Sequence, residues 1–241
     1  DADGSSRGTV EHVTDTRTHW VAGRHNRGLA LDGIDDVLRV GNAHLYPPVG
    51  AAARSVTTWI KTASEGVLFR WGDPTIDGGL WQLAINAAGL LEVDVGAGRL
   101  SGQSDLRDNT WHHVAIVLAR DGTPDVTDTV LYVDGVAEGP GASTAQSIRT
   151  SNSDMILGGA RAGGVVLDEF RLFPRALAAD DVQAEFLADD RAAASWLYRY
   201  FGHEGPGTWH ADSDGDGQVE LAEYAFGLDP RRPDAAQAKP L

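Results

Sequence analysis

Hydrophobic and polar residues alternate over short segments between Gly28 and Phe173, and Gly, Asp, Asn and Pro bound these segments. Alternation with a period of two places every second side chain on one face of a strand. The turn-forming residues recur about every 8–12 residues, which is typical of antiparallel sandwiches and barrels. The predicted strands are 28–31, 37–40, 55–62, 67–71, 80–85, 90–95, 111–119, 129–133, 155–158 and 165–173. The pattern therefore predicts an all-β domain.

Two short turns join neighbouring predicted strands. Asp134-Gly135 separates Val133 from Val136, and a two-residue Asp-Gly loop favours a tight hairpin because Gly accepts a positive φ. The four residues 86–89 (NAAG) form a second, longer hairpin loop between the strands 80–85 and 90–95. Hairpins of this kind predict that consecutive strands pair in antiparallel fashion.

The pattern changes after Pro174. Hydrophobic residues between Leu177 and Leu187 recur at the spacing of one helical face, and Asp180 and Asp181 fall in the first turn of that predicted helix. A second helix is predicted over 190–201, where alanines are followed by an aromatic stripe. We divide the chain into a polar arm or edge strand (1–19), a sandwich (20–187) and a helical, loop-rich tail (188–241).

Composition excludes several classes of function. The chain has 35 acidic and 20 basic residues, a net charge of −15 and no cysteine. No basic surplus exists to neutralise phosphates, so nucleic acid and anionic membranes are not expected partners. Disulfides, thiolate metal sites and cysteine nucleophiles are absent, and no apolar run approaches the ~20 residues of a membrane span. The start at Asp1 rather than Met fits a processed, secreted protein or a trimmed fragment.

The sharpest motif is the twelve-residue segment 212–223 (DSDGDGQVELAE), which matches the EF-hand calcium loop. Gly217 stands at position 6, where the loop bends sharply, and Val219 stands at the inward position 8. The predicted Ca²⁺ ligands, at positions 1, 3, 5, 7, 9 and 12, are Asp212, Asp214, Asp216, Gln218 (through its carbonyl), Glu220 and Glu223. The alternative is a solvated acidic turn, but five carboxylates in twelve residues would repel one another without a cation.

This loop departs from a regular EF-hand. Ten residues (GHEGPGTWHA, 202–211) separate it from the preceding predicted helix, and no second loop pairs with it. With Trp196, the YFG of 200–202 and the following EYAFGLDP (223–230), it resembles the dockerin-like single calcium loops of secreted bacterial proteins. The resemblance implies a structural calcium ion outside the cell rather than a calcium switch.

The sandwich resembles the laminin-G-like, concanavalin-A-like jelly roll of bacterial surface proteins. The matching segments are 28–40 (GLALDGIDDVLRV), 55–61 (SVTTWIK), 109–115 (NTWHHVA), 131–136 (LYVDGV) and 166–177 (VLDEFRLFPRAL). The resemblance implies an antiparallel jelly-roll β-sandwich, a fold that hosts lectins, adhesion modules, spacers and enzymes alike. Some members bind calcium through early and late aspartates, which makes Asp32, Asp35, Asp36 and Asp168 candidates, with ordinary turn chemistry as the alternative.

Catalytic constellations are weak. Glu92 and Asp94 begin the Glu-x-Asp pattern of glycosidases on this fold, but no third carboxylate follows, so a solvent-facing strand explains them. His112 and His113 are adjacent on a strand and point to opposite faces, which favours structural roles. His203-Glu204 and His210 lack the spacing of a zinc motif. We therefore expect no enzymatic activity.

Trp71 and Trp81 flank a glycine-rich loop (72–79) and are candidates for a platform that stacks on sugar rings, with core packing as the alternative. Two functions remain open. The first is a secreted or cell-surface calcium-binding module for adhesion, recognising a glycan or a surface protein. The second is a self-assembling subunit of an extracellular fibre or surface layer, in which the arm adds a strand to a neighbour.

Overall fold

The computed structural model describes residues 19–25, 27–41, 47–120, 122–139, 141–159 and 164–188, the backbone of 8–11, and the single positions Gly215 and Arg231. The chain divides into two compact units, 1–177 and 178–241. The first unit contains all the described strands and a short 3₁₀ helix, Val126–Asp128, and the second contains the described α-helix.

The first unit is a sandwich of two antiparallel sheets. Its strands are β1 Gly8–Glu11, β2 Trp20–Ala22, β3 Arg27–Leu31, β4 Val37–Val40, β5 Arg54–Thr62, β6 Gly66–Gly72, β7 Leu80–Ile85, β8 Leu90–Asp94, β9 Arg99–Asp105, β10 Trp111–Leu118, β11 Thr129–Val133, β12 Val136–Ala137, β13 Ser143–Thr144, β14 Met155–Gly158 and β15 Val165–Phe173. An eight-stranded sheet has the order β1-β4-β14-β6-β7-β8-β9-β13, and a seven-stranded sheet has the order β12-β11-β10-β5-β15-β3-β2. The predicted antiparallel β-sandwich is confirmed.

Each of the ten predicted strands is present, within one residue of its predicted ends. Alternation did not reveal β9, because the segment RLSGQSD has Leu100 as its only large hydrophobic residue. The strand forms because β8 pairs with it along one side and the two-residue β13 along the other. Tertiary pairing thus supplied what local pattern lacked.

The core lies between the sheets. In the eight-stranded sheet, the register aligns Leu38, Leu157, Phe69, Leu83, Val93 and Leu100 in one row across six neighbouring strands. These side chains face the seven-stranded sheet and pack against core residues such as Val56, Ile60 and Ile116, all fully buried. One continuous inward row of this kind fixes the register, because a slip by one residue would turn every one of these side chains to solvent.

The adjacent row of the same sheet faces away from the core and is polar except for Ile156. The register aligns Arg39, Ile156, Arg70, Gln82, Asp94 and Arg99 across the same six strands. The outward face therefore carries three arginines in a chain whose net charge is −15.

The Asp134-Gly135 hairpin is confirmed. Both residues have positive φ, 49° and 78°, and Val133 pairs with Val136. The Asp134 carboxylate accepts hydrogen bonds from the His113 backbone N–H and the His112 ring, so the turn is tied to β10. A second hairpin joins β7 to β8 at 86–89, closed by the Gly89 N–H donating to the Asn86 carbonyl.

The described helix of the second unit is α1, Ala179–Ala188, with Asp180 and Asp181 in its first turn as predicted. The Asp181 carboxylate accepts from the Ala178 backbone N–H at 3.1 Å and closes the amino-terminal turn. Acidic groups at this end are favoured by the helix dipole.

Candidate functional site

The predicted calcium loop lies outside the described residues, apart from Gly215. Asp212, Asp214, Asp216, Gln218, Glu220 and Glu223 therefore stay a prediction from sequence, as do the helix over 190–201 and the environment of His203, Glu204 and His210. Gly215 is exposed and has a φ of 76°. A left-handed residue between Asp214 and Asp216 is consistent with a tightly turning loop.

Three of the four aspartates suggested for a second calcium site lie together. Single carboxylate oxygens of Asp32, Asp35 and Asp36 are within 4.8 Å of one another. Asp36 is buried, accepts the Asp32 N–H at 3.0 Å and lies 3.5 Å from the His19 ring nitrogen. The pKa of the Asp32 carboxyl group is lowered, and the largest cause is the hydrogen bond that it accepts from the Ile34 backbone N–H. The bond from the Ile34 N–H to Asp32 is that of an Asx turn, in line with the turn-chemistry alternative, and a second calcium site at these aspartates stays a prediction.

Asp168 is not part of that group. Its carboxylate accepts from the backbone N–H groups of His25 and Glu169, at 2.8 and 2.9 Å. Glu169 follows in a left-handed conformation, φ 48°, where the pairing of β15 with β5 shifts register. Asp168 therefore stabilises a β-bulge.

Trp71 and Trp81 do not form the candidate sugar platform. Trp71 is 1% exposed and Trp81 is not exposed at all, so neither indole face can reach a ligand. Both side chains lie on the inward row of their strands, where Trp71 pairs with Trp81. The guanidinium of buried Arg54 lies against the two rings, at 5.8 and 5.0 Å from their centroids. The core-packing alternative is confirmed.

The paired histidines have different environments, as their alternation on β10 predicts. His113 is buried and meets Trp59 edge-on, with ring centroids 5.4 Å apart. Burial lowers the pKa of His113 to about 4. His112 lies between two carboxylates, with Nδ1 2.9 Å from Asp134 and Nε2 3.3 Å from Asp108. No common site joins the two imidazoles.

Glu92 and Asp94 are each committed to local hydrogen bonds. The Glu92 carboxylate accepts from the Ser101 hydroxyl at 2.8 Å and the Asn86 amide at 3.1 Å. Asp94 accepts from the Gly96 N–H at 2.6 Å within the next turn. Their arrangement is that of strand and turn residues rather than of an acid–base pair.

The outward face of the eight-stranded sheet carries a recessed groove of about 270 Å³. We call it the arginine groove; its main lining residues are Arg39, Arg70, Gly72, Ser153, Asp154 and Ile156. Ile156 is the register partner of both arginines, so it lies between them on the groove floor. Arg39 and Arg70 are 31 positions apart in sequence, and only strand pairing across β14 brings them together.

Of the two arginines in the arginine groove, one lies beside a carboxylate and the other does not. Arg39 lies 3.6 Å from the Asp154 carboxylate. Arg70 is half-buried, and within the described part of the chain no hydrogen bond or ion pair engages its guanidinium. One rim is rigid, because the Ser153 hydroxyl accepts from the Gly72 N–H at 2.7 Å and donates to the Asp154 carbonyl at 3.0 Å.

A second, more apolar groove of about 140 Å³ lies beside Trp20, between β3 of one sheet and β4 and β14 of the other. Trp20 is 43% exposed, unlike Trp71 and Trp81, and among the described tryptophans it is the exposed one that the sequence did not single out. The alternation around Trp20 is too short to separate an edge strand from a loop, so its exposure had no local signal.

A family model described as the concanavalin A-like lectin/glucanases superfamily, of the laminin-G type, matches residues 31–183, more than half of the chain. The chain belongs to this superfamily. The match spans strands β4 to β15 and all the residues that line the arginine groove. A comparison with curated proteins found no match.

Solved structures similar to this chain include binding domains of toxins. The binding domain of Paraclostridial Mosquitocidal Protein 1 aligns with a TM-score of 0.53 and 17% identity, over 77% of this chain and 46% of that one. The botulinum neurotoxin serotype D binding domain aligns with a TM-score of 0.54 and 17% identity, over 78% of this chain and 47% of that one. The ligand-binding domain of botulinum neurotoxin serotype D, in complex with N-acetylneuraminic acid, aligns with a TM-score of 0.55 and 16% identity. The alignment covers 78% of this chain and 47% of that one. This chain thus spans about half of each of these structures.

At these identities the likeness establishes the fold of this superfamily member and not its ligand. Among the described residues, no helix has the length and apolar character needed to cross a membrane.

Proposed function

We propose that this chain is an extracellular, non-catalytic recognition module that binds glycans through the arginine groove and is stabilised by calcium in its tail. The observation that carries the proposal is the groove itself: recessed, polar, and built on a rigid sheet. Groups held on strands keep their positions better than groups on loops, which suits repeated hydrogen bonding to sugar hydroxyls.

The superfamily contains both lectins and glucanases, so membership supports carbohydrate as the ligand class. The structural neighbours are binding domains, and one of them is in complex with a sugar acid. The carboxylates of Glu92 and Asp94 are tied into local hydrogen bonds, which supports a non-catalytic role. A protein ligand at the same groove is the alternative within this proposal.

The calcium part of the proposal rests on the loop 212–223. Six oxygen donors in EF-hand register suit Ca²⁺, a hard cation that takes six to eight oxygen ligands. Extracellular calcium is plentiful, so a site with a dissociation constant of ~10⁻⁴–10⁻³ M is occupied there. The ion would cross-link the loop and raise the stability of the second unit.

A self-assembling fibre subunit has less support. The edge strands of the two sheets, β1, β13, β12 and β2, are two to four residues long. Edges this short offer few free backbone groups for strand addition by a neighbour.

A glycan array probed in calcium buffer tests the proposal. We expect retention on at least one glycan class and loss of that retention when Ile156→Trp fills the groove. Val136→Trp is the matched control, because Val136 is a 70% exposed strand residue of the other sheet. The same array with Trp20→Ala tests the apolar groove.

Loss in Trp20→Ala with full binding by Ile156→Trp would move the site to the apolar groove. An array blank for the native chain would reject glycan recognition. Both variants need melting temperatures close to that of the native chain, so that lost binding is not lost folding.

A further inference from the structure

We infer that the arginine groove selects acidic sugars, with Arg70 as the residue that binds the sugar carboxylate. The inference rests on the proposed function and adds the chemical class of the ligand. It starts from the half-buried guanidinium of Arg70, which no described protein group neutralises.

Arg70 offers a planar fork of donors in a partly desolvated place. A guanidinium carries five N–H donors, and a carboxylate matches two of them at once in parallel hydrogen bonds. Such a pair is stronger at a recessed position than on an open surface, because the surrounding dielectric is lower. An incoming carboxylate therefore gains more here than at exposed arginines such as Arg99.

The remaining groove residues suit the rest of a sugar ring. The Asp154 carboxylate, already paired with Arg39, is an acceptor for ring hydroxyls. Ile156 gives the groove floor an apolar surface for the C–H face of a pyranose. Arg39 and Arg70 are two strands apart, about 9–10 Å between their Cα positions, and the side chains reach over Ile156. A single ring with one carboxylate fits between them.

The volume and the net charge of the arginine groove further restrict the class of ligand. A volume of about 270 Å³ is just below the ~300–1,000 Å³ of drug-sized sites, so the groove encloses one ring, either a free sugar or one unit of a polymer. Two arginines and one aspartate leave the groove with one net positive charge. A monoanionic carboxylate neutralises that charge, whereas a dianionic phosphate would leave one excess negative charge beside Asp154.

The test uses polygalacturonate and the same polymer with its carboxylates methyl-esterified, immobilised and probed with the full chain in calcium buffer. We expect the acid polymer to bind and the ester to bind at least about tenfold more weakly. Arg70→Gln should lower binding to the acid polymer about tenfold or more, the loss that follows removal of a charged hydrogen-bond partner. Arg99→Gln, an exposed arginine of the same row outside the groove, should leave binding unchanged.

A second variant separates charge from geometry. Arg70→Lys keeps the charge and loses the fork, so we expect an intermediate loss. Free galacturonate should compete for the groove, and inorganic phosphate at the same concentration should not.

Three outcomes would each overturn the inference. They are equal binding of the acid polymer and its ester, normal folding and binding by Arg70→Gln, and effective competition by phosphate. Retention on neutral glycans alone would overturn it and leave the proposed function intact. Retention on no glycan at all would reject both the inference and glycan recognition as the function of the groove. If Arg70→Gln fails to fold, the comparison of acid and ester with the native chain decides.

Discussion

The guanidinium carbon of Arg54 lies 5.0 Å from the ring centroid of Trp81, and both side chains are fully buried. Within the described residues no carboxylate neutralises Arg54. Its N–H groups donate instead to the carbonyls of Pro48, Gly50 and Ala52 and to the Thr150 hydroxyl. Burial lowers its pKa to about 10, so the guanidinium is still charged at neutral pH. The π face of Trp81 and four oxygens stabilise this buried cation.

Replacing Arg54 with methionine should destabilise the sandwich by about 2–4 kcal/mol, because several carbonyls lose their donor in a buried region. Urea unfolding of native chain and variant measures the difference. Arg99→Met, at an exposed strand position, is the control and should change stability by less than ~0.5 kcal/mol. A loss below about 1 kcal/mol in Arg54→Met would show that the network contributes little.

His112 makes stability fall as the pH rises through neutrality. Partial burial disfavours its charge, but Asp134 and then Asp108 outweigh that effect and raise its pKa above 6.5. The contribution of the charged ring is complete below about pH 6.5 and is lost as the pH rises through the raised pKa. Unfolding free energies from pH 6 to 9 should decline in the native chain and stay flatter in His112→Gln. An identical slope in both proteins would contradict this.

His113 has the opposite effect on the acid side. Burial, the main cause, lowers its pKa to about 4, so the unfolded chain binds a proton more readily than the folded one between pH 6.5 and 4. Stability is therefore retained above about 6.5 and lost as the pH falls toward 4, by about 3 kcal/mol in all. His113→Leu should remove this part of the acid slope. If the unfolding free energies of the native chain and His113→Leu fall in parallel as the pH is lowered, His113 is not the source of this acid sensitivity.

Asp134 links the hairpin to both histidines. Asp134→Ala should cost about 2 kcal/mol, because a positive φ disfavours alanine and the His113 N–H loses its acceptor. Asp134→Asn should cost less, since asparagine adopts positive φ more readily and its amide oxygen still accepts. In both variants NMR titration should show a lower pKa for His112. An unchanged His112 pKa would contradict the ion pair.

Calcium should raise the melting temperature of the chain, and EDTA should lower it. Binding to the folded state alone adds about 1.4 kcal/mol at tenfold excess over the dissociation constant. Glu223→Gln, at the bidentate position, should weaken this response in calorimetry, whereas Asp229→Asn, just beyond the loop, should not. A melting temperature that is the same with and without calcium would reject the loop as a metal site.

The strands of the sandwich could be predicted because their signals are local. β5, β7 and β15 read as strands from alternation, and the Asp134-Gly135 turn follows from what its two residues permit. β9 could not be predicted, because its pairing partners rather than its own residues stabilise it. The exposure of Trp20 and the burial of Trp71 likewise depend on which face of a strand meets the other sheet.

The sequence alone determined the fold class, the superfamily resemblance and the calcium loop prediction, since each depends on residues close together in the chain. It could not determine the candidate binding site. Arg39 and Arg70 lie on strands far apart in sequence, and they flank Ile156 because β14 lies between β4 and β6. Strand order and register are set by burial of the whole inward row, a property of the assembled sandwich rather than of any one segment. Tertiary structure therefore decided that Trp71 and Trp81 are core residues and that the outward arginines form the groove.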